Sequence, residues 1–503
     1  MTIKKTLGLA LALGISATAL HAADLRIGLQ EDPDILDPDQ SRTFVGRIVY
    51  ASLCDKLVDI TPDLEIIPQL ASGWSWSDDG LELTMTLRDD VTFHDGTPFN
   101  AEAVVANIDR SKNMDESRRK SELTSITGTE AVDDMTVKFT LDAPDATLLA
   151  QLADRAGMMV SPTAASEAGV DFGLNPVCSG PFQFVERVQQ DRIVLSKFAD
   201  YWNADAFNFD SVIFLPIPDT TVRLANLRSG DLDMLERLAA TDVASVKEDG
   251  SLLMEQAVSL GYQGITVNVA NGDRAATPIG ENAAVRRALS LAIDRNVINQ
   301  VVFEGAFAAG NQPFPPTSPW YNKDFPVPAR DVDAAKELLA EAGYPDGVSV
   351  EIQVPNNPVQ MQLMQVVQAM ASEAGITVTL QAKEFATMLS DQTAGAFTAS
   401  QVGWSGRVDP DGNIHQFMTT DAGLNDSHYS NPEVDELLNA ARVSNDTATR
   451  KENYNAALAI LQEDMPIVYL YHQAWIWALD DKIDGFVPYP DGMIRLEGVS
   501  FSE

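Results

Sequence analysis

Residues 83–110 limit what this chain can fold into more than any other stretch, because two periodicities meet there across a tight turn. Leu83, Met85 and Leu87 alternate with Thr84, Thr86 and Arg88, the two-residue period of a strand with one buried face. Asp95-Gly96 follows as a turn, since glycine accepts the positive φ that such a turn requires. Asn100 stands where a helix N-cap belongs, and Glu102 complements the positive helix end. Ala101, Val104, Val105 and Ile108 then recur at helical spacing. Strand, turn and helix in direct succession point to an α/β protein. At 503 residues the chain exceeds what one hydrophobic core supports, so two or three domains are expected.

The same alternation continues along the chain. A strand is predicted over residues 24–29, a helix over 42–57, a hairpin over 180–197, a strand over 212–216 and a helix over 220–228. A strand over 260–269 leads to a helix capped by Asn282 and a second capped by Asp294. Val348, Val350, Ile352 and Val354 alternate before a helix over 358–374, and Ile376, Val378 and Leu380 alternate after it. This rhythm implies parallel strand pairing with helical crossovers. Asn431-Pro432 opens another helix, residues 447–464 form the next, and Pro466 starts one long apolar strand. Trp74 and Trp76 alternate with serines and are expected in a core. Residues 148–165 read as a helix that runs into an apolar, strand-like end.

Several function classes are excluded or disfavoured by what the chain carries. Residues 1–22 have a charged start at Lys4 and Lys5, an apolar run over 7–20 and a small-residue exit, the form of a secretory leader cleaved after Ala22 or Ala23. No cysteine follows the apolar run, so no lipid anchor is expected, and the mature protein should be free in a periplasm. The formal charge is −38 before that leader removes two lysines, which argues against nucleic acid or an anionic membrane as partner. There is no GxxxxGK[ST], GxSxG, HExxH or CxxC, so no enzyme chemistry, cofactor or metal is indicated. Residues 409–413, DPDGN, fail as a calcium loop: the glycine is at the wrong offset and position twelve is Thr420.

Four stretches, taken in order, carry a family resemblance: FHDGTPFNAEAVVANIDR at residues 93–110, CSGPFQFVERVQQDRIVLSKFADYWN at 178–203, AVRRALSLAIDRNVINQVVFEGAFAAGNQPFPP at 284–316 and DAAKELLAEAGYPDG at 333–347. They resemble the family 5 extracellular solute-binding proteins, the peptide/nickel-type receptors of ABC importers. The resemblance runs from about Leu25 to the C-terminus.

It implies an α/β, two-lobed, hinge-connected periplasmic binding protein of type II with an extra subdomain inserted in its first lobe. The expected boundaries are 1–22 for the leader and 24–65, 178–268 and 474–503 for lobe I. The insertion would take 66–177 and lobe II 269–473, with crossings near 268–271 and 469–474. The implied role is that of a monomeric receptor, not an enzyme, capturing a peptide or peptide-like solute, an anionic one included, and handing it to a membrane permease driven by separate ATPase subunits. A nickel chelate, opine or oligosaccharide is the alternative ligand; a secreted hydrolase is the alternative class.

In the resembled family, residues 401–417 face the ligand, which brings forward Trp404, Ser405, Arg407 and Asp409. Peptide-binding relatives carry an acid three residues after this tryptophan, for the ligand's amine, where this chain has Arg407. They also place an arginine near Val354, where this chain has valine. Arg407 is expected either to hold a ligand anion beside Trp404 or to pair internally with Asp409 or Asp411. Arg155, lone among apolar residues, either forms a structural ion pair or points at the ligand. Arg42, Thr43 and Phe44 border the cleft by the same resemblance. Cys54 and Cys178, which it assigns to one lobe, either form a disulfide or remain two buried thiols.

Overall fold

A computed structural model describes residues 23–502, so the expected leader and its cleavage site lie outside the described residues. Two large sheets organise the molecule. The first has seven strands in the order Leu252–Val258, Ala474–Asp480, Met234–Leu235, Asp24–Leu29, Ser211–Pro216, Arg192–Lys197, Phe182–Val188. Its centre is parallel, with Leu25 opposite Val212 and Ile27 opposite Met234, and its hairpin edge is antiparallel. The second has six strands in the order Ala308–Ala309, Ile467–His472, Tyr262–Val267, Ala399–Trp404, Val348–Pro355, Ile376–Lys383. Val348–Pro355 and Ile376–Lys383 pair in parallel around helix Pro358–Glu373, as the strand-helix-strand rhythm requires.

Each sheet closes its own core. Ile27, Ile48, Phe214 and Trp477 belong to the first; Ile265, Leu289, Ile352 and Leu363 belong to the second. A third core lies in the four-stranded antiparallel sheet Ala71–Trp76, Glu82–Leu87, Thr136–Leu141, Ile126–Asp133. Leu83, Met85 and Leu87 face inward from it, and helix Ala101–Asn113 covers them with Val104 and Ile108. The Asn100 side chain accepts from the Ala103 amide at 3.0 Å, so the cap forms where the sequence placed it.

Four expectations change. Tyr262–Val267 pairs with Ala399–Trp404 and Ile467–His472, while Leu252–Val258 pairs with Ala474–Asp480. The chain therefore leaves the first sheet between 258 and 262, earlier than the expected 268–271, and residues 262–268 stand with the second lobe. The apolar run after Pro466 is two strands, not one. Ile467–His472 belongs to the second sheet and Ala474–Asp480 to the first, with Gln473 between them. Trp76 is 36% exposed, because it ends an edge strand of the four-stranded sheet where nothing covers its face; Trp74 is half-buried. Residues 148–165 break into helix Leu148–Leu152, a turn at Arg155–Gly157, and helix Pro162–Ala168 capped by Ser161.

Cys54, at the C-cap of helix Phe44–Leu53, is joined to Cys178 in a disulfide with a Cα–Cα distance of 4.9 Å. It ties that helix to the segment entering Phe182–Val188.

Candidate functional site

A cleft with about 1060 Å³ of empty space, part of it open to solvent, runs between the two large sheets. One wall comes from the end of Asp24–Leu29 and the start of helix Phe44–Leu53: Gln30, Glu31, Arg42 and Phe44, with Arg237. The other comes from the second sheet and its loops, including Tyr262, Gln263, Gln401, Trp404 and Asp426. The first wall sits at a strand end and a helix start, while the second takes residues from within and at the ends of the adjacent strands Tyr262–Val267 and Ala399–Trp404.

Phe44 stacks on Trp475 at 4.3 Å with the rings 3° from parallel, and the Arg237 guanidinium lies 4.7 Å over Phe44. Opposite them, Trp404 meets Phe417 edge-on at 4.9 Å, and Tyr262 meets Tyr469 at 4.8 Å. The walls are thus rigid and aromatic. Between them lie glutamine amides. Gln360 Oε1, Gln392 Nε2 and Gln401 Oε1 are buried without a hydrogen-bond partner among the described residues.

The residues expected at the site divide. Trp404, Ser405, Arg42 and Phe44 line the cleft. Arg42 also bridges it: Nη1 donates to Thr393 Oγ1 at 2.6 Å and Nη2 meets Asp426 at 2.5 Å. Thr43 does not line the cleft. Its hydroxyl caps its own helix by accepting from the Gly46 amide and donates to Asp34.

Arg407 is a correction. It is buried and pairs neither with Asp409 nor with Asp411; Asp409 is held by Arg450 in two hydrogen bonds and Asp411 by Arg442. Its partner is Asp154, from the inserted segment, with Nε 2.5 Å from Oδ2. Asp154 also takes Arg47 at 2.8 Å. Ser405 Oγ accepts from both arginines, at 3.0 Å from Arg47 and 3.3 Å from Arg407. Burial alone would raise the Asp154 pKa, but Arg407, Arg47 and Arg155 outweigh it and hold the carboxyl well below the usual carboxylate range. Arg407 stands in the wall behind Trp404, its guanidinium 4.0 Å over the indole, and burial with Arg47 and Arg155 beside it lowers its pKa against the pull of Asp154. Arg407 does not line the cleft, and it shares its one acid with Arg47, leaving its Nη2 buried without a hydrogen-bond partner among the described residues. Asn413 fixes this loop, accepting from Trp404 Nε1 and the Arg407 amide and donating to the Arg407 carbonyl.

Arg155 is likewise inside the protein, 1% exposed, and donates to the Ser41 carbonyl at 2.7 Å. It does not line the cleft. Burial, with Arg119 adding to it, lowers its pKa to about 9.

Glu31, Arg237, Tyr262, Gln263, Gln401 and Asp426 were not anticipated. The segment containing Gln401 was singled out, but nothing local marks the others, since their convergence depends on strand order. Among the described residues no group of three or more His, Cys, Asp or Glu could hold a metal ion, and no helix is long and apolar enough to cross a membrane.

Two α/β lobes, crossed by the chain at two points, with an aromatic, amide-lined cleft between them, have the form of a receptor that binds a small solute. Comparison with known proteins places the chain more closely. The family model for bacterial extracellular solute-binding proteins, family 5, matches residues 65–425, and the chain belongs to that family. It is 31% identical over 504 residues to the glutathione-binding protein GsiB of Salmonella typhi, covering 98% of this chain and 97% of that one. The periplasmic binding protein DppA of Helicobacter pylori, solved with the peptide STSA, superposes with a TM-score of 0.87 at 25% identity, covering 96% and 99%. A dipeptide-binding protein from Pseudoalteromonas in complex with Met-Leu shares the fold at a TM-score of 0.88 and 24% identity, covering 95% and 100%.

Proposed function

We propose that this protein captures a small peptide-type solute between its lobes in the periplasm and delivers it to the permease of an ABC importer, without chemical change to the solute. The observation that carries the ligand class is the set of unpartnered amide atoms on Gln360, Gln392 and Gln401 inside an aromatic cleft. A buried amide left without a partner costs about 1–3 kcal/mol. Peptide bonds supply both the donors and the acceptors that such atoms lack, and the aromatic walls take the side chains. Relatives named for glutathione and structures holding short peptides support the same class. The delivery step, with its permease and separate ATPase subunits, and action as a monomer rest on the family; cleavage of a leader rests on the pattern of residues 1–22. No observation favours a nickel chelate, an opine or an oligosaccharide over a peptide, or a hydrolase over a receptor.

Titration calorimetry with glutathione and a panel of di- and tripeptides tests this reading. One-to-one binding is expected, together with a rise in melting temperature; saturation at a hundred times Kd corresponds to about 2.7 kcal/mol. The ligand should be recovered unchanged after prolonged incubation. Failure of every peptide to bind, or the appearance of cleaved product, would overturn it.

A further inference from the structure

We propose that Glu31 is the counter-charge for the ammonium group of the bound solute, and that the part of the cleft between Glu31 and Glu384 is the subsite that receives it. The proposal rests on the peptide-type reading above and assigns one end of such a ligand.

Four charged side chains line the main cleft: Glu31, Arg42, Arg237 and Asp426. Three have partners. Arg42 and Asp426 neutralise each other across the opening. Arg237 faces Glu236 at 3.4 Å, donates to Gln30 Oε1 at 3.2 Å and rests on Phe44. Glu31 is 8% exposed, and its carboxylate has no hydrogen-bond partner among the described residues. A buried carboxylate without a partner is costly, and the group that would relieve it is one the ligand brings.

The surroundings select a cation. Past Glu31 the cleft continues into a second compartment of about 570 Å³, shared between the lobes, whose acids are Glu31, Asp32 and Glu384. Asp32 is matched by Arg187 at 2.9 Å. Glu384, from the second lobe, caps helix Phe385–Thr393, accepting from the Ala386 and Thr387 amides at 3.0 and 2.8 Å. Glu31 and Glu384 face the same compartment with like charge, and an ammonium between them replaces repulsion with attraction. Phe385 lines both compartments and puts an aromatic side chain beside the same space. Burial, opposed by Arg237 and reinforced by Glu236, Glu384 and Asp34, pushes the Glu31 carboxyl up to about 8, as an unmatched carboxylate requires. The Trp404 loop offers no competing acid, because Asp409 and Asp411 are occupied by Arg450 and Arg442.

The test is calorimetric titration of the mature protein and its Glu31→Gln variant with di- and tripeptides, glutathione included, each in free-amine and N-acetylated form, followed by alkyl diamines and alkyl guanidines. Acetylation should weaken binding to the wild type at least tenfold. Glu31→Gln should lose a similar factor for the free amines and little for the acetylated forms, while Glu31→Asp keeps the preference. Equal binding of both forms by the wild type, or an undiminished preference in Glu31→Gln, would overturn the assignment. If no peptide binds but diamines or guanidines do, and Glu31→Gln abolishes this, the peptide reading falls and the subsite stands. If neither class binds, the subsite falls. The melting temperature of Glu31→Gln, expected to be no lower than that of the wild type, separates lost binding from lost folding.

Discussion

Asp154 sets the state of two buried arginines behind the cleft wall, Arg47 and Arg407. It is one carboxylate, 6% exposed, between Arg47 and Arg407, and removing its charge leaves both guanidiniums uncompensated away from water. Asp154→Asn is expected to cost about 3–5 kcal/mol, read by chemical denaturation. Its carboxyl pKa is depressed in the folded protein, so the stabilisation is complete above the unfolded value near 4 and is lost as pH falls below it. The variant should therefore show a shallower acid limb than the wild type below about pH 4; parallel limbs would refute the pairing. Glu31 runs the other way. Its folded pKa, about 8, lies above its ordinary value of 4.5, so the native state holds the extra proton and stability falls as pH rises between those values. Glu31→Gln should gain on the wild type across that window, reaching a few kcal/mol at pH 8 without ligand. Neither residue's role was legible in the sequence. Arg407 stands out in the sequence as a cation on a cleft-facing loop, but the acid it shares with Arg47 comes from a distant segment, and spacing along a chain carries no record of such a meeting. Glu31 lay unremarked in an acid- and proline-rich loop, because its isolation is a property of what surrounds it.

Local elements were legible where their determinants are local. Asn100, Asn282, Asp294 and Asn431 all cap the helices the sequence assigned to them, since a cap is settled within three residues. Sheet membership was not. The apolar run after Pro466 reads as one strand because both halves are buried, yet they serve different sheets. Likewise, alternation at Trp74 and Trp76 marks a strand but not whether its outer face is covered. The first passage between sheets depends on contacts that only glycine permits. A Cβ on Gly261 would lie 1.8 Å from the Trp404 carbonyl oxygen, and Gly406 opposite it has φ +88°. Gly261→Ala should therefore displace the Trp404 loop, lowering stability by roughly 1–3 kcal/mol and weakening ligand binding with it; normal affinity in the variant would show that the loop tolerates the shift. The disulfide acts on a longer scale. It closes a separation of 124 residues, which in the chain-entropy picture stabilises by about 4–5 kcal/mol. Replacing Cys54 and Cys178 together by alanine should lower the melting temperature to that of the reduced wild type.

For the molecule as a whole, function turns on how two lobes stay together when no solute holds them. Side chains already bridge the gap. Arg42 reaches Asp426, Thr393 and the Leu389 carbonyl, Arg47 reaches Ser405, and Asp154 reaches Arg407. The Asp154 cluster is buried and holds the inserted segment to the Trp404 loop, so its loss would disturb folding as well as closure. Arg42–Asp426 is different. It lines the cleft, with its side chains 12% and 9% exposed, and both residues lie in loops outside any helix or strand. It can bias the open–closed equilibrium without carrying the fold, and a ligand that prefers the closed form gains affinity in proportion to the closed population. Arg42→Ala is expected to leave the melting temperature within about a degree or two while enlarging the ligand-free radius of gyration in small-angle scattering. Saturating ligand should return the variant to the wild-type radius at an affinity roughly 5- to 30-fold weaker, the cost of about 1–2 kcal/mol of lost closure energy. Identical scattering from variant and wild type without ligand would mean that the pair only lines the cleft and that closure is set elsewhere, with the Arg47–Asp154–Arg407 cluster the next place to look.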